Sequence, residues 1–327
     1  MHGGDLAAAR RMFPDAPEPF IDLSTGINPH PWPLPALPED LFKWLPDRAA
    51  VERLAAAAAD VYGAPDAACV VPAPGTQILL PIINALVKPG HAVVLGPTYA
   101  EHSRAAVLAG HRVTEAAHLD QLKGADLAVV VNPNNPDGRI AGQFDLLALA
   151  SDLRSRNGIL LIDEAFADVA PDASLAREVT AGNIVVLRSF GKFFGLAGLR
   201  LGFALAAPEI AARIDDALGP WAVSGPAIHI GVAALLDRTW MESTRTALAE
   251  SAHRLDALLN NSGLEIVGGT SLYRLVRTSR ADALFQHLGR AGILVRRFSD
   301  QPQWLRFGLP ANDSEMTRLE LALTAAR

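Results

Sequence analysis

Short apolar runs alternate with amphipathic segments through the middle of the chain. The runs are three to five residues long and are bounded mainly by glycine or polar residues, which is typical of strands buried on both faces of a sheet. They lie at residues 69–71, 92–95, 127–131, 158–162, 184–187 and 201–205, and the helical segments lie at 48–60, 76–87, 100–109 and 144–156. This alternation predicts an α/β fold with a mostly parallel central sheet covered by helices.

The pattern changes after this region. Residues 208–260 have a helical pattern, which from about Ala227 is continuous enough for one long helix. Beyond it, strands are predicted at 264–267, 272–276, 293–295 and 305–309, and helices at 281–290 and 315–326. These elements predict a smaller α+β domain at the C-terminal end.

The first 47 residues contain nine prolines, which fix φ and remove backbone donors, so we expect an extended arm there. The sequence therefore predicts three parts. They are an N-terminal arm at 1–47, a large domain at 48–225 and a small domain at 226–327, which part of the arm completes.

The composition excludes several classes of protein. Of the 327 residues, 50% are hydrophobic and 20% are charged, which is too apolar for a disordered chain. No apolar run approaches the ~18 residues of a membrane span. A net charge of -6 without a block of like charges argues against a nucleic-acid or membrane-surface partner. The single cysteine, Cys69, excludes an internal disulfide and a cysteine metal cluster, so we expect no metal site and a reducing, cytoplasmic location.

Four polar or glycine-rich segments directly follow predicted strands. In an open parallel sheet, ligands bind outside the carboxyl ends of the strands. We therefore expect the four segments to face one ligand site. They lie at residues 74–76, 132–138, 163–166 and 188–200.

Three of these segments also have an ordinary structural interpretation. Gly75 and Thr76 can place the amides of a helix start around an anion, or simply cap that helix. The asparagine-proline segment can hold an amide donor toward a ligand, or form a plain β-turn. Asp163 ends a buried strand, so it needs a partner, which a protonated pyridine nitrogen or a structural arginine would each supply.

The fourth segment contains a lysine among glycines and phenylalanines. An amine in such a place can form a Schiff base, although an isolated lysine is more often a surface residue. Ser189 precedes Lys192 by three residues and Arg200 follows it by eight, and both are suitable donors to a phosphate.

Together, these motifs are similar to those of the fold-type I pyridoxal-phosphate enzymes, in the branch that contains histidinol-phosphate aminotransferase. The resemblance covers nearly the whole chain and depends on the order Asn-Pro turn, Asp-Glu-Ala-Phe, Ser-Phe-Gly-Lys, arginine and Leu-Arg-Phe-Gly. It implies pyridoxal 5'-phosphate as the cofactor, a small-molecule substrate and a homodimer.

The resemblance also implies roles for individual residues. Lys192 would be the catalytic residue and would carry the cofactor aldehyde, and Asp163 would pair with the pyridine nitrogen. Asn135 would donate to the ring hydroxyl and Tyr99 would stack on the ring. The cofactor phosphate would be bound by Gly75, Thr76, Ser189 and Arg200.

The N-terminal residues resemble those of family members that decarboxylate a phosphorylated amino acid, L-threonine O-3-phosphate, in cobalamin biosynthesis. The matching segments are His-Gly-Gly-Asp at 2–5 and Leu-Ser-Thr-Gly-Ile-Asn-Pro at 23–29. The resemblance implies that Arg306 binds the substrate α-carboxylate, and it implies a phosphate site made of His2, Gly3, Asn28 and Arg296. Without it, we would expect a disordered His2 and solvent-facing arginines at 296 and 306.

Two positions depart from the aminotransferase pattern. Phe166 stands where aminotransferases usually have tyrosine, and Leu45 stands where relatives have a tyrosine that reaches the neighbouring subunit's cofactor. Both favour the decarboxylase over its main alternative, an aminotransferase acting on histidinol phosphate or a similar amino acid. A further alternative is a binding or scaffold protein without chemistry. The residues that argue against it are Lys192, Asp163, Asn135 and Arg200.

Overall fold

A computed structural model describes residues 3–326 of the chain, so His2 lies outside the described residues. These residues form two compact units. The large unit comprises Trp32–Asn135 and Arg139–Trp240, and the small unit comprises the described residues up to Pro31, Pro136–Gly138 and those from Met241 onward. The domain boundaries after residues 47 and 225 stay a prediction.

In the described part of the chain, the large unit contains one seven-stranded sheet in the order β2-β8-β7-β6-β5-β3-β4. Strand β8 runs antiparallel to both of its neighbours, and every other adjacent pair is parallel. The predicted, mostly parallel sheet is therefore confirmed. The strands are β2 (Val70–Ala73), β3 (His91–Leu95), β4 (Arg112–Ala116), β5 (Leu127–Val131), β6 (Ile159–Asp163), β7 (Ile184–Ser189) and β8 (Gly202–Leu205).

Burial explains why most of these strands are visible in the sequence. Every residue of β2, β5, β6 and β8 is buried, and successive side chains of a strand point to opposite faces, so both faces of the sheet are covered. The exception is the edge strand β4, which the sequence analysis did not predict. Arg112, Thr114 and Glu115 of β4 are exposed, so the strand has no continuous apolar run.

The helices of the large unit follow the predicted alternation. The first long one, α3, begins where the carboxylate of Asp47 accepts the amide of Ala50 at 2.6 Å, and ends at Gly63, whose φ of 79° favours glycine. The helices are α2 (Asp40–Lys43), α3 (Arg48–Tyr62), α4 (Leu79–Ala85), α5 (Glu101–Leu108), α6 (Gln143–Arg154), α7 (Phe190–Phe193), α8 (Pro208–Leu218) and α9 (Gly225–Leu236).

Over the described residues, the small unit contains a five-stranded sheet in the order β1-β11-β12-β10-β9. Strand β1 is parallel to β11, and the other adjacent pairs are antiparallel. The strands are β1 (Ile21–Leu23), β9 (Glu265–Thr270), β10 (Tyr273–Arg277), β11 (Ile293–Phe298) and β12 (Gln301–Gly308). The helices are α1 (Leu6–Met12), α10 (Arg238–Asn261, of which 238–240 belong to the large unit), α11 (Ala281–Arg290) and α12 (Asp313–Ala325).

Two sequence-based predictions of elements were wrong. The N-terminal arm is not only extended chain, because Asp5 caps α1 by accepting the amide of Ala8 at 2.8 Å and β1 joins the small sheet. The long helix from about Ala227 is two helices, α9 and α10. The chain turns at Asp237, whose carboxylate accepts the amide of Trp240 at 3.0 Å and so caps the second helix. Within residues 3–326, no helix has both the length and the apolar composition of a membrane span.

Candidate active site

The predicted ligand-binding segments of the large unit follow strands that end at the same edge of the sheet. Strands β5, β6 and β7 are parallel neighbours, with Val131 paired to Asp163 and Asp163 paired to Leu187. Strands β3 and β2 run in the same direction as these three. The sheet therefore brings the segments after all five strands to one edge. The sequence predicts this for four of them, and the segment after β3 is the fifth.

Asp163 is the last residue of β6, and only 6% of its surface is exposed. Its Oδ1 atom accepts a hydrogen bond from the amide of Ala165 at 3.0 Å. Its Oδ2 atom lies 2.8 Å from Nε2 of His102. The carboxylate thus has hydrogen-bonding partners of the kind that a buried charge requires.

His102 was not identified from the sequence. It lies on α5, and its side chain is fully buried. Within residues 3–326, its Nδ1 atom has no hydrogen-bond partner. A carboxylate only accepts hydrogen bonds, so this contact has Nε2 of His102 as the donor to Asp163. No local sequence pattern indicates this contact, because Asp163 lies 61 residues further along the chain.

Four residues predicted to bind the cofactor phosphate lie around one turn. Gly75 has a φ of 87°, and a Cβ atom there would come within 2.8 Å of Nη2 of Arg200. A Cβ atom on Gly202 would come within 2.8 Å of the backbone nitrogen of Thr76, and Gly202 pairs with Ser189 between β7 and β8. Because Gly75 and Gly202 have no side chains, the turn at residues 75–76 can lie close to Arg200 and to strand β8.

Lys192 lies on the short helix α7, in a setting built from aromatic rings. Its Nζ atom is 5.8 Å from the centre of the Phe166 ring. The rings of Phe190 and Phe194 stack at 4.2 Å, and Phe194 also stacks on Trp240 at 5.6 Å. These contacts hold the backbone on both sides of Lys192, so the position of its Cα atom is set by buried packing.

Tyr99 follows β3 and contacts two residues of the same unit. Its hydroxyl donates to Oε1 of Gln77 at 3.1 Å. Its ring meets the imidazole of His102 edge to face, with 5.9 Å between the ring centres. Tyr99 is therefore linked through His102 to Asp163.

The three asparagines after β5 differ in their contacts. Asn132 accepts the amide of Ala141 at 2.9 Å, and Asn134 donates to the carbonyl of Pro97 at 3.0 Å. These side chains tie the segment to residues 9 and 37 positions away, so both are used within the protein. Asn135, the residue predicted to contact the ring hydroxyl, is half-buried at the same turn.

A buried ion-pair cluster lies next to the predicted cofactor residues. Arg188 donates to Glu164 at 3.0 Å and to Asp168 at 2.9 Å. Burial raises the pKa of Glu164, and Arg188 opposes this. Burial would lower the pKa of Arg188, but Asp168 and Glu164 outweigh it and raise that pKa. The cluster joins the ends of β6 and β7, because Glu164 follows Asp163 and Arg188 precedes Ser189. No role for it was predicted from the sequence.

Two predicted substrate-binding arginines of the small unit lie opposite each other. Arg296 on β11 pairs in register with Arg306 on β12. Arg306 is 6% exposed, so it is not a solvent-facing strand residue. Its Nη2 atom donates to the carbonyl of Ser24 at 2.9 Å, and its Cζ atom is 4.8 Å from the centre of the Tyr273 ring. Burial, aided by Arg296, lowers the pKa of Arg306 to about 10.

The remaining predicted residues have varied surroundings. Asn28 is buried, and its Oδ1 atom accepts the amide of His30 at 2.9 Å. Gly3 is exposed and packs on Ser24, whose carbonyl oxygen would be 2.5 Å from a Cβ atom on Gly3. Leu45, which departs from the aminotransferase pattern, is 66% exposed.

Comparison with known proteins shows the family. Residues 21–322 match the family described as aminotransferase class I and II. A threonine-phosphate decarboxylase of Sinorhizobium sp is 43% identical over 99% of this chain and 97% of its own length. One from Pseudomonas aeruginosa is 42% identical over 98% of this chain and 96% of its own length.

A solved structure supports the same fold. The histidinol-phosphate aminotransferase of Clostridium acetobutylicum matches with a TM-score of 0.80 and 20% identity, over 93% of this chain and 98% of that one. At this identity the likeness concerns the fold alone, and it confirms the predicted fold class. The chain belongs to the aminotransferase class I and II family.

Proposed function

We propose that this protein is a pyridoxal-phosphate-dependent threonine-phosphate decarboxylase of cobalamin biosynthesis. Its reaction would convert L-threonine O-3-phosphate to (R)-1-amino-2-propanol O-2-phosphate and CO2. The observation that carries the proposal is the 43% identity, over 99% of this chain, to a relative named for that activity. The paired Arg296 and Arg306 support it, because a substrate with a carboxylate and a phosphate needs two cationic partners.

The residues of the large unit fit pyridoxal phosphate. Any side chain at Gly75 would fill the space beside Arg200, which suits a small anion held by backbone amides. Asp163 is a buried carboxylate that suits a protonated ring nitrogen, and Lys192 supplies an amine for the aldehyde. We assign the binding of the cofactor phosphate to Gly75, Thr76, Ser189 and Arg200. Tyr99 would stack on the pyridine ring, and Asn135 would donate to its hydroxyl.

When bound, pyridoxal phosphate supplies an electron sink for the bond that breaks at the substrate α-carbon. The protein decides which bond that is. Arg306 would bind the α-carboxylate, and the phosphate would be bound by Arg296, Asn28, Gly3 and His2, which lies outside the described residues. Binding at both the carboxylate and the phosphate would fix the orientation of the substrate. We propose that this orientation favours the transition state for loss of CO2 over that for loss of hydrogen. The Nζ atom of Lys192 would then return a proton to the α-carbon.

The test compares the decarboxylase with an aminotransferase. Purified protein with pyridoxal phosphate is given L-threonine O-3-phosphate or histidinol phosphate, with and without 2-oxoglutarate. We expect CO2 from L-threonine O-3-phosphate alone, and no consumption of 2-oxoglutarate. Turnover that requires 2-oxoglutarate and releases no CO2 would reject the decarboxylase.

We also propose a homodimer in the cytoplasm. The segment at 34–45 exposes large apolar side chains, among them Phe42 at 67% and Trp44 at 73%, which is costly unless another surface covers them. The single buried cysteine suits a reducing compartment. Sedimentation of the wild type as a dimer at micromolar concentration, weakened by Trp44→Ser, would support the dimer, and a monomeric wild type would reject it.

A further inference from the structure

Ser24 is a buried residue of the small unit at which three segments meet. Only 2% of its surface is exposed. Its hydroxyl accepts the amide of Gly4 at 2.8 Å and donates to Oδ1 of Asp22 at 2.5 Å. Its carbonyl oxygen accepts Nη2 of Arg306 at 2.9 Å. Ser24 thus contacts both Arg306 and the turn at Gly3 and Gly4, which we call the N-terminal turn.

The hydroxyl of Ser24 has a fixed orientation. Oδ1 of Asp22 accepts from the amide of Ser24 at 2.9 Å as well as from its hydroxyl. The hydroxyl proton is therefore committed to Asp22, and an oxygen lone pair is left to accept from Gly4. The same carboxylate charge favours the protonated form of Arg306, against the effect of burial.

Two glycines pack closely on the backbone of Ser24 and of its neighbour Thr25. A Cβ atom on Gly3 would lie 2.5 Å from the carbonyl oxygen of Ser24. A Cβ atom on Gly308, at the end of β12, would clash with the carbonyl oxygen of Thr25. The backbones at Gly3 and Gly308 therefore both pack directly on residues 24 and 25, with no room for a side chain at either glycine.

We propose that Ser24 is a specificity-determining positioning residue, which sets the N-terminal turn relative to Arg306. This rests on the proposed function, in which Gly3 helps bind the substrate phosphate and Arg306 binds the carboxylate. The distance between those two groups is limited by the covalent structure of the substrate. Ser24 holds both the N-terminal turn and Arg306, and so fixes the distance between the two binding groups. It therefore selects for amino acids whose phosphate and carboxylate are separated by that distance.

The variant Ser24→Ala separates the two contacts. It removes the hydroxyl, which holds Gly4, and keeps the carbonyl, which holds Arg306. Affinity for the phosphate should fall about fivefold, the usual effect of losing one hydrogen bond. Binding of L-threonine, which has the carboxylate but no phosphate, should not change. The matched control is Ser155→Ala, because Ser155 is an exposed serine whose hydroxyl bonds a neighbouring carbonyl.

Two measurements on the holoenzyme test the proposal. Hydrogen exchange should be faster in the peptide that contains residues 3–12 of Ser24→Ala, and unchanged in β12. Calorimetric titration should show weaker binding of inorganic phosphate and equal binding of L-threonine. Unchanged hydrogen exchange in the peptide with residues 3–12 would overturn the proposal. An equal loss of affinity for inorganic phosphate and L-threonine would also overturn it, because it would indicate a merely structural role.

Failure of the proposed function gives a different result. A wild type that releases no CO2 from L-threonine O-3-phosphate would reject the decarboxylase. Hydrogen exchange and phosphate titration need no turnover, so they would still decide whether Ser24 holds the N-terminal turn in place for an anion.

Discussion

The Nε2 atom of His102 lies 2.8 Å from Oδ2 of Asp163, and both side chains are buried. The other carboxylate oxygen accepts the amide of Ala165, so both oxygens of Asp163 are oriented by the protein. A hydrogen-bond donor in this position stabilises and orients the carboxylate. His102 is thus a positioning residue for the carboxylate that we assign to the cofactor ring.

The variant His102→Phe tests this role. It keeps a buried ring but removes the donor to Asp163, and we expect pyridoxal phosphate to bind about tenfold more weakly, since a hydrogen bond to a charged group is lost. Titration of the absorbance of the bound cofactor measures the change. The control is His111→Phe, because His111 is also buried but bonds the carbonyl of Asn84 and the amide of Gly90. Equal cofactor affinity of His102→Phe and wild type would contradict the role.

Arg306→Lys tests the proposed carboxylate site. Lysine keeps the charge but loses the planar, bidentate donor pair, so we expect the KM for L-threonine O-3-phosphate to rise about 10- to 100-fold. The matched control is Arg297→Lys, one residue from Arg296, because Arg297 bonds Asp282 at 3.3 Å and packs on Phe285. If steady-state kinetics gave both variants the same KM, Arg306 would not be the carboxylate ligand.

Glu164→Gln tests the buried ion-pair cluster through pH. Burial raises the folded-state pKa of Glu164 above its ordinary value of 4.5. From pH 4.5 up to that raised pKa, the folded state binds more protons than the unfolded state, so this residue makes stability fall as pH rises. The stability of the wild type relative to Glu164→Gln should therefore decrease across this window in urea unfolding. Parallel pH dependences of the two proteins would show that the pKa is not raised.

The sequence predicts those features of the fold and site that depend on neighbouring residues. Asp163 was found because a continuous apolar run leads to it, and Lys192 because its own segment is glycine- and phenylalanine-rich. His102 was missed because its partner lies 61 residues away and is brought close only by the order of the strands. The contact of Ser24 with Arg306 spans 282 residues, and no local pattern indicates it.

The two wrong predictions of elements, at α1 and at the break between α9 and α10, arose from local features of the sequence. Residues 1–47 were interpreted together as extended because of their prolines, but the first of these is Pro14, which follows α1 (Leu6–Met12). The helical pattern across residues 227–260 hid the break at Asp237, because one residue in a non-helical conformation leaves the apolar periodicity almost unchanged. In both places a carboxylate caps the start of a helix, Asp5 at α1 and Asp237 at α10.

The most direct test of the proposed reaction follows the fate of the α-carbon. The protein with pyridoxal phosphate is incubated with L-threonine O-3-phosphate in D2O, without any keto acid, and the product is analysed by mass spectrometry. We predict aminopropanol phosphate with one non-exchangeable deuterium on the carbon that carried the carboxylate, formed together with CO2. A product that retains the carboxylate and appears only when 2-oxoglutarate is added would contradict the account.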